Sequence, residues 1–263
     1  MNSTVIHERP GVYSSYDASS AISGGAAKKV IGVAARAAKG EANKTVRLTS
    51  YAAGVNAFGE DNESSAMEEL LRLLYQNGAA AVAAVAVAAS AEKEDYEAAF
   101  NALSAQEDVG IVVCDSADTG VLQALRDNVT AASGARRERI AVAGSEEETV
   151  SAIIEQAEAL NCERMVLLGG RALDTGGKTL SGPAAAAAVA GVIAATADPA
   201  LPLNGAPLEG MSGVAADFSD DEIDLLVRGG VTPLESNAGI VSTVRGVTTR
   251  TTTGGAGDST WRE

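Results

Sequence analysis

The stretch Ala172-Leu-Asp-Thr-Gly-Gly-Lys178-Thr179 carries the most suggestive chemistry in the chain. A Gly-Lys-Thr ending between a strand and a helix is how phosphate-binding loops are built. Backbone N–H groups and a helix N-terminus cradle the phosphates while the lysine neutralises them. Here the first glycine of that pattern is replaced by Ala172, and Leu180-Ser-Gly-Pro183 stands between the lysine and the helical run that opens at Ala184. Proline belongs in a first helical turn, so this helix starts too late to place Lys178 at its N-terminus. The spacing predicts a surface turn. A doubly wound α/β enzyme or nucleotide-binding protein using the Gly169–Thr179 loop is the alternative reading.

The other reactive residue types are distributed without convergence. Asp217, Asp220, Asp221, Glu222 and Asp224 form a carboxylate cluster. Its spacing is not that of a calcium loop, and the glycine such a loop needs at its turn is missing. Ser219 with Glu222 reads instead as a capping box, with acids in the first turn facing the positive end of a helix. The single histidine, His7, lies near the N-terminus, so hydrolases that rely on a histidine base are disfavoured. Cys114 is followed by Asp115, whose negative charge would raise a thiol pKa rather than activate it. Together with Cys162 it reads as a reduced structural thiol, in keeping with intracellular synthesis. The loops Asp115–Thr119 and Gly144–Glu146 follow strands, where α/β enzymes bind ligands, but they carry only acids and hydroxyls. The residues predict no catalytic set, no cofactor and no metal site.

The elements that must position these residues follow from hydrophobic periodicity. Val30–Val33 and Thr45–Leu48 read as short strands of a small β subregion over residues 26–62. Ser65 and Glu68 predict a capping box ahead of a helix carrying Met67, Leu70, Leu71 and Leu74, which Asn77-Gly78 ends. Strands follow at Ala79–Ala88, Val109–Cys114, Ile140–Ala143 and Met165–Leu168. Helices lie between them at Glu94–Ala105, Val121–Ala132 and after a Ser145/Glu148 cap. Near-continuously apolar strands alternating with helices of this length indicate βαβ units. The expected fold class is α/β, a doubly wound and mainly parallel sheet with helices on both faces. Residues 63–263 would form this body. Residues 1–25, rich in Ser, Ala and Gly, hold too few large apolar side chains to fold alone and read as an extended arm.

Composition narrows the partners. The chain has 263 residues, 20 basic and 35 acidic, for a net charge of −15. Such a surface repels phosphate backbones and anionic lipid, so neither nucleic acid nor direct membrane binding is expected. The first residues are polar, with no apolar stretch of signal-peptide type, and the longest apolar run, residues 78–89, is shorter than a membrane span. Hydrophobic residues make up 46% but aromatics only 3%, so the core must be built from Ala, Val, Ile and Leu.

Near the end, Ile240, Ser242, Val244 and Gly246 alternate with Val241, Thr243, Arg245 and Val247, which predicts a strand over Ile240–Thr249. Gly254-Gly-Ala-Gly-Asp258 reads as a turn, and Trp261 as the opening of a returning strand, so the hairpin looks incomplete at Glu263. This stretch, Glu8-Arg9-Pro10-Gly11-Val12-Tyr13, Gly182–Ala194 and Leu203–Gly210 together resemble, in order, the contractile phage tail sheath proteins.

That resemblance implies a structural subunit in place of an enzyme. Its partners would be itself, in stacked hexameric rings, together with the tail tube protein and the baseplate and tail terminator proteins. It would reside in the virion tail sheath after synthesis in the bacterial cytoplasm. The same sheath physics serves phages and phage-derived bacteriocins. Glu8–Tyr13 would lie in an arm linking neighbouring subunits. Ile240, Val241, Val244, Val247 and Trp261 would lead from the body towards a C-terminal portion that relatives continue into. On this expectation, residues 1–263 alone would form no stable sheath.

Overall fold

Strands whose residues are apolar on both faces need cover on both faces, and that requirement organises this molecule. The computed structural model describes residues 29–198 and 201–252. The elements in chain order are β1 (Val30–Arg36), β2 (Thr45–Leu48), α1 (Tyr51–Phe58), α2 (Met67–Gln76), β3 (Val82–Val87), α3 (Lys93–Ser104), β4 (Val109–Cys114), α4 (Thr119–Gly134) and β5 (Ile140–Gly144). They continue with α5 (Val150–Leu160), β6 (Met165–Gly169), β7 (Ala172–Asp174), α6 (Gly182–Ala195), β8 (Met211–Val214), α7 (Asp220–Arg228), β9 (Thr232–Asn237) and β10 (Ile240–Thr243).

Eight strands form one sheet in the order β10-β9-β6-β5-β4-β1-β3-β2. The strands from β9 to β3 run parallel, and antiparallel β10 and β2 close the two edges. Helices α3, α4, α5 and α7 cover one face through Phe100, Leu122, Leu125, Ile153 and Leu226. Helices α1, α2 and α6 cover the other through Phe58, Leu70, Leu74 and the alanines of α6. The chain is therefore a doubly wound α/β domain, as its strand pattern predicts. No helix among the described residues is long and apolar enough to cross a membrane.

Small residues set how closely the layers approach. Helix α6 buries every residue from Gly182 to Gly191, so it has no polar stripe and reads as a core helix. A Cβ on Gly191 would lie 2.7 Å from Asn77 Cβ at the crossing with α2. A Cβ on Gly144 would lie 1.9 Å from the carbonyl oxygen of Gly182, so only glycine lets α6 begin on the end of β5.

Several expectations are corrected. The strands foreseen within residues 26–62 form, but they do not make a separate subregion. Val30–Ala35 is buried on both faces, and β1 pairs with β3 and β4 in the middle of the sheet. The expected Ser65/Glu68 capping box is absent. Helix α2 starts at Met67, and the Asp61 carboxylate accepts from Glu68 N (3.0 Å) and Glu69 N (2.8 Å). Helix α5 is capped by Thr149, whose Oγ1 accepts from Ala152 N, while Ser145 Oγ accepts from Glu147 N in the loop before it. The predicted Ile240–Thr249 strand stops at Thr243. The reason is that Val247 and Thr249 make isolated hydrogen bonds to the first residues of β9 and β6, partly through side chains, and no continuous ladder. Thr232 Oγ1 accepts from Val247 N (3.0 Å), and buried Thr249 exchanges bonds with Cys162 (3.0 and 3.2 Å) and donates its N–H to Met165 O (2.8 Å). Strand β9 was not foreseen, because Pro233 interrupts its pattern. Its turn, Ala238-Gly239, has φ of 51° and 81°, the left-handed geometry of a two-residue hairpin.

Candidate functional site

In a doubly wound sheet, ligands bind where successive crossovers diverge, at the C-terminal ends of the strands. Here β1 is flanked by β3 and β4, so the divergence lies above β1 and β4. A crevice of about 640 Å³ opens there, lined by Arg36, Glu69, Tyr96, Asp115, Asp118 and Glu146 among others. Arg36 ends β1, Asp115 follows β4, and Tyr96 comes from the first turn of α3.

Arg36, Tyr96 and Asp115 are engaged with one another. The Asp115 side chain is 1% exposed, and its Oδ2 accepts from Arg36 Nε at 2.6 Å and from Arg36 N at 3.2 Å. Its Oδ1 accepts from the Tyr96 hydroxyl at 2.6 Å. Burial works against the Arg36 charge, but the hydrogen bond and charge of Asp115 outweigh it and hold the guanidinium pKa above its ordinary value. Burial first, then the charge and hydrogen bond of Asp115, push the Tyr96 phenol far up. Burial pushes the adjacent Cys114 thiol up to about 12, with Asp115 adding to the shift. Both carboxylate oxygens are consumed, the phenol donates its proton to one of them, and the thiol stays protonated. The trio ties β1, α3 and β4 together and offers neither base nor nucleophile.

The anion-binding potential of the crevice is also used internally. The N-terminus of α6 projects into it, and a helix N-terminus favours anions. The anion present is the chain's own: Glu146 Oε1 accepts from Gly182 N at 2.6 Å, and Ser181 Oγ accepts from Ala184 N at 3.2 Å. Asp118 caps α4 in the same way, accepting from Val121 N at 3.0 Å.

The Gly169–Thr179 loop repeats that logic. Residues Ala172–Asp174 form β7, which pairs with β8, and the turn beyond is exposed. Asp174 Oδ1 accepts from Gly176 N and Lys178 N, both at 2.8 Å. Those N–H donors hold the Asp174 carboxyl below its ordinary range, the Lys178 N–H most of all. The N–H groups that a phosphate would need are thus turned onto a side-chain carboxylate, and α6 starts only at Gly182. The nucleotide-binding alternative is not supported. The carboxylates around Asp220 serve α7, where Ser219 and Glu222 form the capping box foreseen. Among the described residues no cluster of His, Cys, Asp or Glu could hold a metal ion.

The opposite end of the sheet differs. A groove of about 1130 Å³ runs beneath the N-terminal ends of β4, β5 and β6, lined by Gly110, Ile140, Val166, Ile193, Leu203 and Val244 together with polar residues at its rim. Arg139 stands at this end, 1% exposed, and its guanidinium donates to the carbonyls of Leu103 (3.3 Å), Ser104 (3.4 Å) and Gln106. A cation at the C-terminus of α3 suits the helix dipole, and it moors the α3–β4 connection. Nothing in the local sequence marks this role, because its partners lie more than thirty positions away.

Of the residues expected to lead out of the body, Val241 and Val247 are buried, Val244 is half-buried and Ile240 is 57% exposed on the edge strand. Glu8, Arg9, Pro10, Gly11, Val12, Tyr13 and Trp261 lie outside the described residues. Gly182–Ala194 is α6, and Leu203–Gly210 runs along β10, where Leu208 N donates to Val241 O at 2.8 Å.

Fold and geometry together define a doubly wound α/β body in which Arg36, Asp115, Tyr96 and Glu146 of the crevice are paired within the chain. The family model described as the phage tail sheath protein central domain matches residues 89–249, and the chain belongs to the phage tail sheath protein family. The fold resembles the sheath tail protein from Desulfitobacterium hafniense at a TM-score of 0.73 and 11% identity, over 94% of this chain and 77% of that one. It is similar to the sheath tail protein from Listeria innocua at 0.68 and 11%, over 90% and 72%. It is also similar to the anti-feeding prophage helical sheath in the contracted state at 0.64 and 18%, over 98% and 71%. No curated protein sequence matches.

Proposed function

We propose that this chain is a structural subunit that assembles around a tail tube and contracts to drive the tube through a host envelope. The observation that carries this reading is the sheath-family match across residues 89–249, on a body whose crevice residues Arg36, Asp115, Tyr96 and Glu146 are paired within the chain. Similar folds in the sheath of the anti-feeding prophage and in the sheath complex of an extracellular contractile injection system, both in the contracted state, support it.

On this reading the chain works without catalysis. Its partners are further copies of itself in stacked hexameric rings, the tail tube protein, and the baseplate and terminator proteins that bound the sheath. It is made in the bacterial cytoplasm and resides in the tail of the particle. Residues 1–25, with Glu8–Tyr13, link neighbouring subunits, and main-chain hydrogen bonds to a neighbour's sheet edge would supply the affinity. Residues 240–247 and Trp261 lead out of the body on the side of the second link. Head-to-tail contacts of this kind generate rings or helical filaments.

Deleting the reading frame from the producing bacterium tests this. Negative-stain images should then show naked tubes or no particles, and sheathed particles should return on complementation. Sheathed, contractile particles in the deletion strain would refute the proposal.

A further inference from the structure

We propose that, before assembly, the groove beneath β4, β5 and β6 holds the chain's own N-terminal segment, residues 1–28, so that the segment is stowed on the subunit that carries it. A parallel sheet is ordinarily covered on both faces. Here α6 ends at Ala195, and the floor formed by Gly110, Ile140 and Val166 is left half-exposed. The groove, about 1130 Å³, exceeds the roughly 300–1,000 Å³ of small-molecule pockets and suits several side chains of a peptide.

The point of departure of the chain selects the occupant. Lys29 lines this groove, and its Nζ donates to Ile193 O and Thr196 O, both at 3.3 Å, at the C-terminal end of α6. Residues 1–28 are therefore joined to the body at the groove. Their large apolar residues include Val5, Ile6, Val12, Tyr13, Tyr16 and Ile22. At about 3.3 Å per residue, Ile22 lies within about 23 Å of Lys29 and Tyr13 within about 53 Å, so both can reach the floor. The segment cannot bury these side chains within itself, whereas the groove offers an apolar surface at no cost in long-range loop closure. The C-terminal end is held differently: Asn161 Oδ1 accepts from Thr251 N at 3.0 Å and Thr252 N at 3.2 Å, which pins that end at the α5–β6 turn. Stowage does not depend on the sheath reading, since it concerns the lone subunit. It gives linking a definite course, in which the segment leaves its own groove to join a neighbour.

Spin labels on Tyr13→Cys and Asp224→Cys in the full chain test the idea by pulsed dipolar spectroscopy at low concentration. Native Cys114 and Cys162 are buried and should not react. The expected result is one short, narrow distance that dilution leaves unchanged, and that broadens in Val166→Lys and Ile193→Lys while melting curves show both variants folded. A broad distribution that neither variant alters would overturn the proposal. A short distance found only between separately labelled chains would also overturn it, by assigning the groove to a second copy. A third contrary result is blue-shifted emission from Trp261, the sole tryptophan, that returns to the solvent-exposed value in Val166→Lys. That would place the C-terminal residues in the groove instead.

Discussion

The two ends of the sheet were built to opposite plans. At the C-terminal ends of the strands several strong polar groups are paired within the chain: Asp115 with Arg36 and Tyr96, Glu146 with the first N–H of α6, Asp118 with α4. At the N-terminal ends the floor is apolar and open, and Lys29 lines it. An α/β enzyme keeps the first end reactive and fills the second. This chain pairs the groups at the end where ligands would bind and leaves an apolar groove open at the other end. The shared fold states nothing of this, because function resides in what the ends carry.

Substitutions at the paired end should be costly and those at the open end cheap. Gly144→Ala should have the largest effect, since its Cβ would sit 1.9 Å from the Gly182 carbonyl and must displace backbone. A loss of about 3 kcal/mol or more is expected from urea midpoints at unchanged slope. Asp115→Ala leaves Arg36 and Tyr96 without their partner. The Arg36 side chain is 37% exposed, so the cost is discounted from that of a fully buried pair to about 2 kcal/mol. Equal stability of either variant and the parent would remove the contrast between the two ends.

The pH dependence sharpens the comparison. The Tyr96 pKa is raised in the fold, chiefly by burial, so the folded chain keeps its phenol proton where the unfolded chain has lost it. Its contribution is fully present below the unfolded value of about 10 and declines as pH rises above it. Melting temperature should fall less steeply above pH 10 in Tyr96→Phe than in the parent. At the open end, Val166→Lys should cost about 1 kcal/mol or less, because the side chain is already half-exposed. Lys178→Ala should be smaller still, within about 0.5 kcal/mol, with no change in melting temperature on adding ATP to either protein.

Much of this layout was legible in the sequence. Val109–Cys114 and Met165–Leu168 announced themselves through unbroken apolar runs, and Asn77-Gly78 marked the end of α2, because strands and helix ends are set by residues close in sequence. The turn at Thr175–Lys178 was legible from Ala172 and the position of Pro183, but strand β7 at Ala172–Asp174 was not. What escaped depends on distance along the chain. Arg36 and Asp115 meet across 79 positions, and Arg139 reaches the end of α3 across 33 to 36. Asp61 caps α2 from seven and eight residues upstream, a spacing outside the local capping box. The Ile240–Thr249 stretch misled because the side chains of Asn204 and Thr232 take the N–H groups of Gly246 and Val247, which alternation alone does not register.

Cryo-electron microscopy of particles from the producing bacterium, trapped before and after contraction, tests the central claim most directly. The account predicts rings of subunits around the tube into which residues 29–252 fit as one unchanged body in both states, with the Arg36–Asp115–Tyr96 bonds intact in each. A sheath built from a different chain, or a body whose Arg36–Asp115–Tyr96 lock opens to hold a ligand, would contradict it.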